Sequence, residues 1–278
     1  ERARQMKVDL IEMADCGSPE LLITSILKAN PDLTIPVLVE KLAEAVGIAE
    51  IERVPTDAFE GSLLTNAEKS YGAIMINDVS RPDRQRFTIA HEIGHFLIPT
   101  HTGKTPCSSS AMSVFSTDNA AARREAEANR FAAGVLMPAP HFRRDIQRLG
   151  EPELEHVFTL AEQYEASREA IANRYVEFAA HPCAFVFSLN GKVRYSRKTD
   201  TFPWLSQKKG DDLPDGSLSA GTAHGRKRVP SSWAQVPGEI WLQDETSGAE
   251  ILEQTVAFSG GYRITLLQIE VDETLMGM

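Results

Sequence analysis

The sequence predicts an α+β chain: a helical domain with a small N-terminal sheet, followed by a β-rich C-terminal domain. Three observations predict it. Apolar residues recur at helical spacing in "IPVLVEKLAEAVGI", "RFTIAHEIGHFLI" and "EAEANRFAAGVLMP". Two short strand-like runs, "SLL" and "YGAIMIN", lie between the first and second of these. After "HPCAF" the texture changes to strands, which puts a domain boundary near His181. The expected division is a helical segment over 1–30, a main domain over 31–181 and a β-rich domain over 182–278.

Residues 1–30 read as two short helices broken at "CGSP". In the next stretch Leu38, Leu42, Ala45 and Val46 share one helical face, and Gly47 ends the helix. "IERVP" reads as a strand, and "GSLLTNAEKSYGAIMIND" as a hairpin turning at "TNAEKS". Ser80 with Asp83 offers a variant capping box, and Pro82 suits a first helical turn. The helix that follows runs to about Ile98 and stops at Pro99. Residues 100–116 read as a loop. A second strong helix covers about 119–136, and two or three more fall between 140 and 180. "AFVFSLNGKVRYS" is a hairpin about Asn190-Gly191. "EIWLQ" and "YRITLLQIEV" read as further strands, with a polar linker at 207–217.

The 278 residues can bury a substantial core, with 42% hydrophobic residues. No apolar run approaches the roughly 20 residues of a membrane span, and "ERARQMKVDL" lacks the apolar stretch of a signal peptide. A net charge of −10 and a pI near 5.3 argue against general affinity for nucleic acid. Cys16, Cys107 and Cys183 are widely spaced and odd in number, which suits reduced thiols in the cytoplasm better than a disulfide scaffold.

The chemistry gathers around "HEIGH", residues 91–95. Residues four apart on a helix are neighbours, so His91 and His95 can offer two imidazoles to one ion, with Glu92 beside them. A catalytic zinc site takes three protein ligands and leaves one position open. The third ligand must come from elsewhere, and the helix at 119–136 offers Glu125 and Glu127 as candidates. At about 100° per residue, Glu125 borders the apolar stripe of Ala128, Phe131, Ala132, Val135 and Leu136, with Asn129 one turn on. Glu127 points roughly 110° off that stripe, towards Arg123 and Arg130, as a solvated ion pair would. Glu125 is therefore the expected ligand, and Asn129 the group that orients a histidine ring through its free nitrogen. His101, His141, His156, His181 and His224 have no comparable partner spacing and read as ordinary surface or core histidines.

With these residues in view, the sequence resembles the ImmA/IrrE family of metallopeptidases, the anti-repressors of mobile elements and the bacterial radiation-response regulators. The resemblance rests on "IPVLVEKLAEAVGI", "YGAIMINDVSRPDRQRFTIAHEIGHFLI" and "EAEANRFAAGVLMP", in that order, over roughly residues 34–140. It implies a zincin-like, gluzincin-type fold with His91, His95 and Glu125 as metal ligands and Glu92 as the base. It implies zinc-dependent cleavage of one specific protein partner, a helix-turn-helix repressor, in stress response or mobile-element regulation. Two imidazoles and a carboxylate accept manganese as well as zinc. "YGAIMIN", if an exposed sheet edge, would pair with substrate as an added strand. Tyr71 and His141 are both open as oxyanion stabilisers.

Two other readings compete. "LAEQYEASREAIANRYVEFA" has helix-turn-helix texture, but Glu169 and Glu177 offset Arg168 and Arg174, so DNA binding by this chain alone is not expected. The chain could also be a metal-binding regulator without general peptidase activity. "GRKR" at 225–228 reads as a solvated loop, and the β-rich region as a regulatory or sensor-like domain.

Overall fold

A computed structural model describes residues 6–66, 68–101, 119–222, 229–243 and 250–269. Cys107, His224, "GRKR" and nearly all of the loop expected at 100–116 lie outside the described residues. The chain divides into two compact units, residues 1–139 with 161–167, and residues 140–160 with 168–278. The boundary expected near His181 thus falls inside the second unit. Residues 140–160 and 168–175 group with the strands, which no local composition shift reveals.

The first unit opens with α1 (Leu10–Ala14), capped by the Asp9 carboxylate, and α2 (Pro19–Ala29), capped by Ser18. Helix α3 (Val39–Val46) ends at Gly47, whose φ is 101°. Strands β1 (Ile48–Val54), β2 (Gly61–Thr65) and β3 (Gly72–Asn77) form a sheet in the order β1-β3-β2. The expected hairpin is β2-β3; β1 joins β3 in parallel. "YGAIMIN" is consequently the central strand, not an edge, because the crossover through the hairpin places β1 on its free side. The edge is β2.

Helix α4 (Pro82–Leu97) carries "HEIGH". Pro82 does open the helix, but Arg81 is its N-cap and makes no side-chain capping bond. The expected Ser80–Asp83 box does not form. Ser80 Oγ donates to Glu60 at 2.8 Å, and Asp83 pairs with Arg81 at 2.7 Å. Helix α5 (Ala120–Leu136) packs on α4. A Cβ added at Gly94 would lie 3.3 Å from Ala128 Cα and 3.1 Å from the Phe131 ring, tighter than ordinary contact. The glycine of "HEIGH" is thus the place where the two helices touch. Ile74, Ile76, Ile89, Ile93, Phe131 and Val135 are buried there, each contributing about 1.5–3 kcal/mol on burial.

In the second unit α6 (Ala139–Leu149), α7 (Leu154–Tyr164) and α8 (Arg168–Tyr175) precede a five-stranded sheet; the last turn of α7 groups with the first unit. The strands are β4 (Cys183–Leu189), β5 (Lys192–Lys198), β6 (Ala234–Pro237), β7 (Glu250–Ala257) and β8 (Tyr262–Ile269). They run antiparallel in the order β5-β4-β8-β7-β6. The β4-β5 turn is Asn190-Gly191, with φ of 52° and 80°. "EIWLQ" is not a strand: residues 238–240 form a 3-10 turn that seats Trp241 in the sheet's core. Strands β6 and β7 escaped the sequence reading, since "AQVP" is short and "EILEQTVA" carries inward polar residues. The supposed linker at 207–217 is tied back to β5: Gly210 N donates to Val193 O and Val193 N to Asp211 O, both at 2.8 Å. Short helix α9 (Leu218–Gly221) follows.

Candidate metal centre

Helices α4 and α5 bring three ligand-type side chains to one point. His91 Nε2 and His95 Nε2 lie 3.0 Å apart, and the Glu125 carboxylate stands 3.4 Å from the first and 3.5 Å from the second. One ligand atom from each residue fits within 4.8 Å of the others. His91 is fully buried, while His95 and Glu125 are mostly covered. Burial alone would raise the Glu125 carboxyl, but the two imidazoles beside it, His91 and His95, outweigh burial and hold the group well below the usual carboxylate range. Glu125 therefore stays ionised. Among the described residues, buried Glu125 Oε2 has no hydrogen-bond partner. An anionic oxygen left short of donors beside two inward-facing imidazole nitrogens is a donor set that fits a divalent cation.

Glu92 projects from the same turn of α4 and is 1% exposed. Edge strand β2 passes directly over it: a Cβ at Gly61 would sit 2.8 Å from Glu92 Oε1 and 2.4 Å from Thr88 Cγ2. Only glycine lets the strand come so near the acid.

The groups behind the histidines differ. His91 Nδ1 lies 2.9 Å from Asn129 Oδ1, one helical turn beyond Glu125. His95 Nδ1 lies 2.9 Å from His101 Nδ1, and His101 Nε2 lies 2.8 Å from Glu127 Oε2. Glu127 departs from the sequence reading, and His101, read as a surface or core histidine, is a core one with partners its spacing did not suggest. His101 is buried and partnered, and Glu127 faces it rather than forming a solvated pair with Arg123 and Arg130. The helical wheel located Glu127 correctly off the apolar stripe but treated everything off the stripe as solvent. The chain leaving α4 turns back instead, His101 N donating to Ile98 O at 3.1 Å. Burial pushes His101 down to about 4, against the raising pull of Glu127, so a neutral imidazole N–H faces the Glu127 carboxylate. Lys69 closes the end of α4, donating to the carbonyls of His95 and Ile98 at 2.8 Å each, and burial lowers it to about 8. The spacing His95 to His101 was the one signal in the sequence that could have found these contacts.

Tyr71 is 59% exposed near the β2-β3 turn, and no described contact ties it to the histidines.

Fold and site together define the class: a helical unit holding a candidate metallopeptidase centre, with a separate β-sheet unit. Comparison with known proteins is specific on this point. Residues 44–175 match the Peptidase_M78 family model, the IrrE N-terminal-like domain. The chain is 30% identical over 125 residues to the radiation response metalloprotease IrrE of Deinococcus radiodurans, a match covering 45% of this chain and 37% of that protein. A Mycobacterium tuberculosis transcriptional regulator shares the fold, with a TM-score of 0.59 at 15% identity over 90% of this chain and 75% of the other. Over residues 44–175, just under half of its length, the chain is similar to the ImmA/IrrE family of metallopeptidases.

Proposed function

We propose that the chain is a zincin-like, zinc-dependent endopeptidase that cleaves one specific protein partner, a helix-turn-helix repressor, in the cytoplasm. The observation that carries the reading is the convergence of His91, His95 and Glu125 on one point, with buried Glu92 beside them under an open strand edge. The ligands would be those three side chains, with manganese as the other candidate metal. When bound, the ion supplies Lewis acidity, lowering the pKa of a water towards about 7 and polarising the scissile carbonyl. Glu92 takes the water's proton and returns it to the leaving amine. Asn129 holds the His91 ring in place. An extended substrate would add to β2, the sheet edge that crosses Glu92.

The test is a Glu92→Gln trap. The variant should retain metal and capture its partner uncut, whereas wild type should yield a cleaved partner. A partner recovered intact from both proteins would count against proteolysis and favour a metal-binding regulator.

Base reading by α8 gains little support. Glu169 is held by Arg194 at 3.1 Å and accepts from the Tyr195 hydroxyl at 2.6 Å. Asn173 donates to the same hydroxyl, and Arg168 lies over the Phe158 and Phe258 rings. Arg174 pairs with Glu177. These side chains are occupied within their own unit rather than presented for phosphates or bases. Among the described residues no helix is long and apolar enough to cross a membrane. We infer a regulatory role for the β-sheet unit, since the proposed ligands and base all belong to the other unit.

A further inference from the structure

We propose that His101 and Glu127 form a buried relay that fixes the tautomer of His95 and so sets how strongly it binds the metal. The inference rests on the reading of His91, His95 and Glu125 as ligands.

A carboxylate only accepts, so the 2.8 Å contact between Glu127 Oε2 and His101 Nε2 requires the proton on His101 Nε2. A neutral imidazole carries one N–H, so His101 Nδ1 is then a bare acceptor. It lies 2.9 Å from His95 Nδ1, which must therefore be the donor. His95 Nε2 is left bare, and it is the atom turned towards His91 and Glu125. The same logic holds on the other ring: Asn129 Oδ1 accepts from His91 Nδ1–H, leaving His91 Nε2 bare. The two rings are thus prepared by different means. His91 leans on a neutral amide, His95 on an imidazole backed by a carboxylate. A ligand histidine whose far N–H is drawn towards negative charge is a better donor to a cation. His95 should be the stronger-held ligand.

One helix supplies most of the device. Glu125, Glu127 and Asn129 stand at alternate positions on α5, as ligand, relay end and support for His91. His101 supplies the rest by folding back from the end of α4, where Lys69 fastens the last carbonyls. His101 and Glu127 touch a ligand or its partner, never the reacting atoms, and are positioning residues.

The experiment measures Zn²⁺ affinity by competition with a chromophoric chelator, and the visible spectrum of the Co²⁺-loaded protein, on the full chain. His101→Leu should weaken Zn²⁺ binding about 10- to 100-fold, the range typical for loss of such a partner. His101→Gln, whose amide can accept from His95 and donate to Glu127, should recover most of that loss. Glu127→Gln keeps an acceptor but removes the charge, and should weaken binding less than His101→Leu while shifting the Co²⁺ bands. That variant sits on a half-covered helix position and guards against a misfolded His101→Leu. Metal-free melting temperatures should stay close to wild type for His101→Gln and Glu127→Gln. Wild-type binding matched within twofold by both His101→Leu and Glu127→Gln, with unchanged Co²⁺ bands, overturns the relay alone. Equal weakening in His101→Leu and His101→Gln also overturns it, by assigning His101 to packing. A wild-type chain that takes up no stoichiometric Zn²⁺ overturns the reading of the site, and the relay with it.

Discussion

Glu125 in the helical unit and Glu253 in the sheet unit are both covered carboxylates, and they are treated in opposite ways. Glu253 is fully buried and fully satisfied: it accepts from Leu218 N at 3.0 Å, Ser219 N at 2.8 Å and Trp241 Nε1 at 3.1 Å. Two of those donors are the first amides of α9, whose N-terminal dipole favours an anion. Every lone pair that packing can reach is used, and the acid clamps α9 and Trp241 to β7. Glu125 faces two imidazoles whose inward nitrogens serve better as acceptors, and its Oε2 has no hydrogen-bond partner among the described residues. A buried charge that has been answered is architecture; one left open is a place for something else to bind. The sheet unit repeats the closed pattern with Thr255 and Thr265, whose hydroxyls meet at 3.0 Å across β7 and β8.

Substitutions can break this contrast. Glu125→Ala should abolish stoichiometric metal binding, read by elemental analysis of protein purified without chelator, while the circular dichroism of the fold persists. Metal retained in Glu125→Ala but lost in Glu127→Ala would reverse the assignment of ligand and relay. Glu92→Gln should keep metal and fold yet lower cleavage of a confirmed substrate by about 10²- to 10⁴-fold. An unchanged rate would remove Glu92 from the chemistry.

The opposite prediction applies to the closed acid. Glu253→Gln turns an acceptor oxygen into a donor facing N–H groups, and should cost about 2–4 kcal/mol in urea unfolding, with metal content unaffected. If Glu253→Gln lowers metal content instead, the two acids are not the independent cases described. Gly94→Ala should cost about 1–3 kcal/mol by overpacking α4 on α5, and weaken metal binding in step, because the same contact sets where Glu125 meets the histidines. The smallest effect concerns the sheet unit's interior. Burial pushes the Cys183 thiol up to about 12, so at pH 8 only about 1 in 10⁴ molecules carries the thiolate. Peptide mapping after alkylation should find Cys183 unlabelled in the native protein, with any labelling rate rising as pH approaches 12 and becoming rapid on unfolding.

The sequence by itself determined the elements whose signal is local. Pro82 and the period of "RFTIAHEIGHFL" specify α4, and Asn190-Gly191 specifies a hairpin turn, because a fixed dihedral or a repeated apolar spacing is written in adjacent residues. It also singled out His91, Glu92, His95, Glu125 and Asn129, since the wheel of one helix says which side chains border its buried stripe. Only the tertiary structure decided what lies against the remaining faces. Glu127 finds His101, not solvent, because the chain beyond α4 folds back over that flank. Strand β3 lies in the middle because β1 comes alongside in parallel from before the hairpin. Residues 140–160 and 168–175 group with the sheet unit while 161–167 group with the other, since unit membership is a matter of which distant segments come together. Periodicity reports the face a segment wants to bury. It cannot report which other segment, far away in sequence, will cover it, and in this protein the relay behind His95 depends on that second fact.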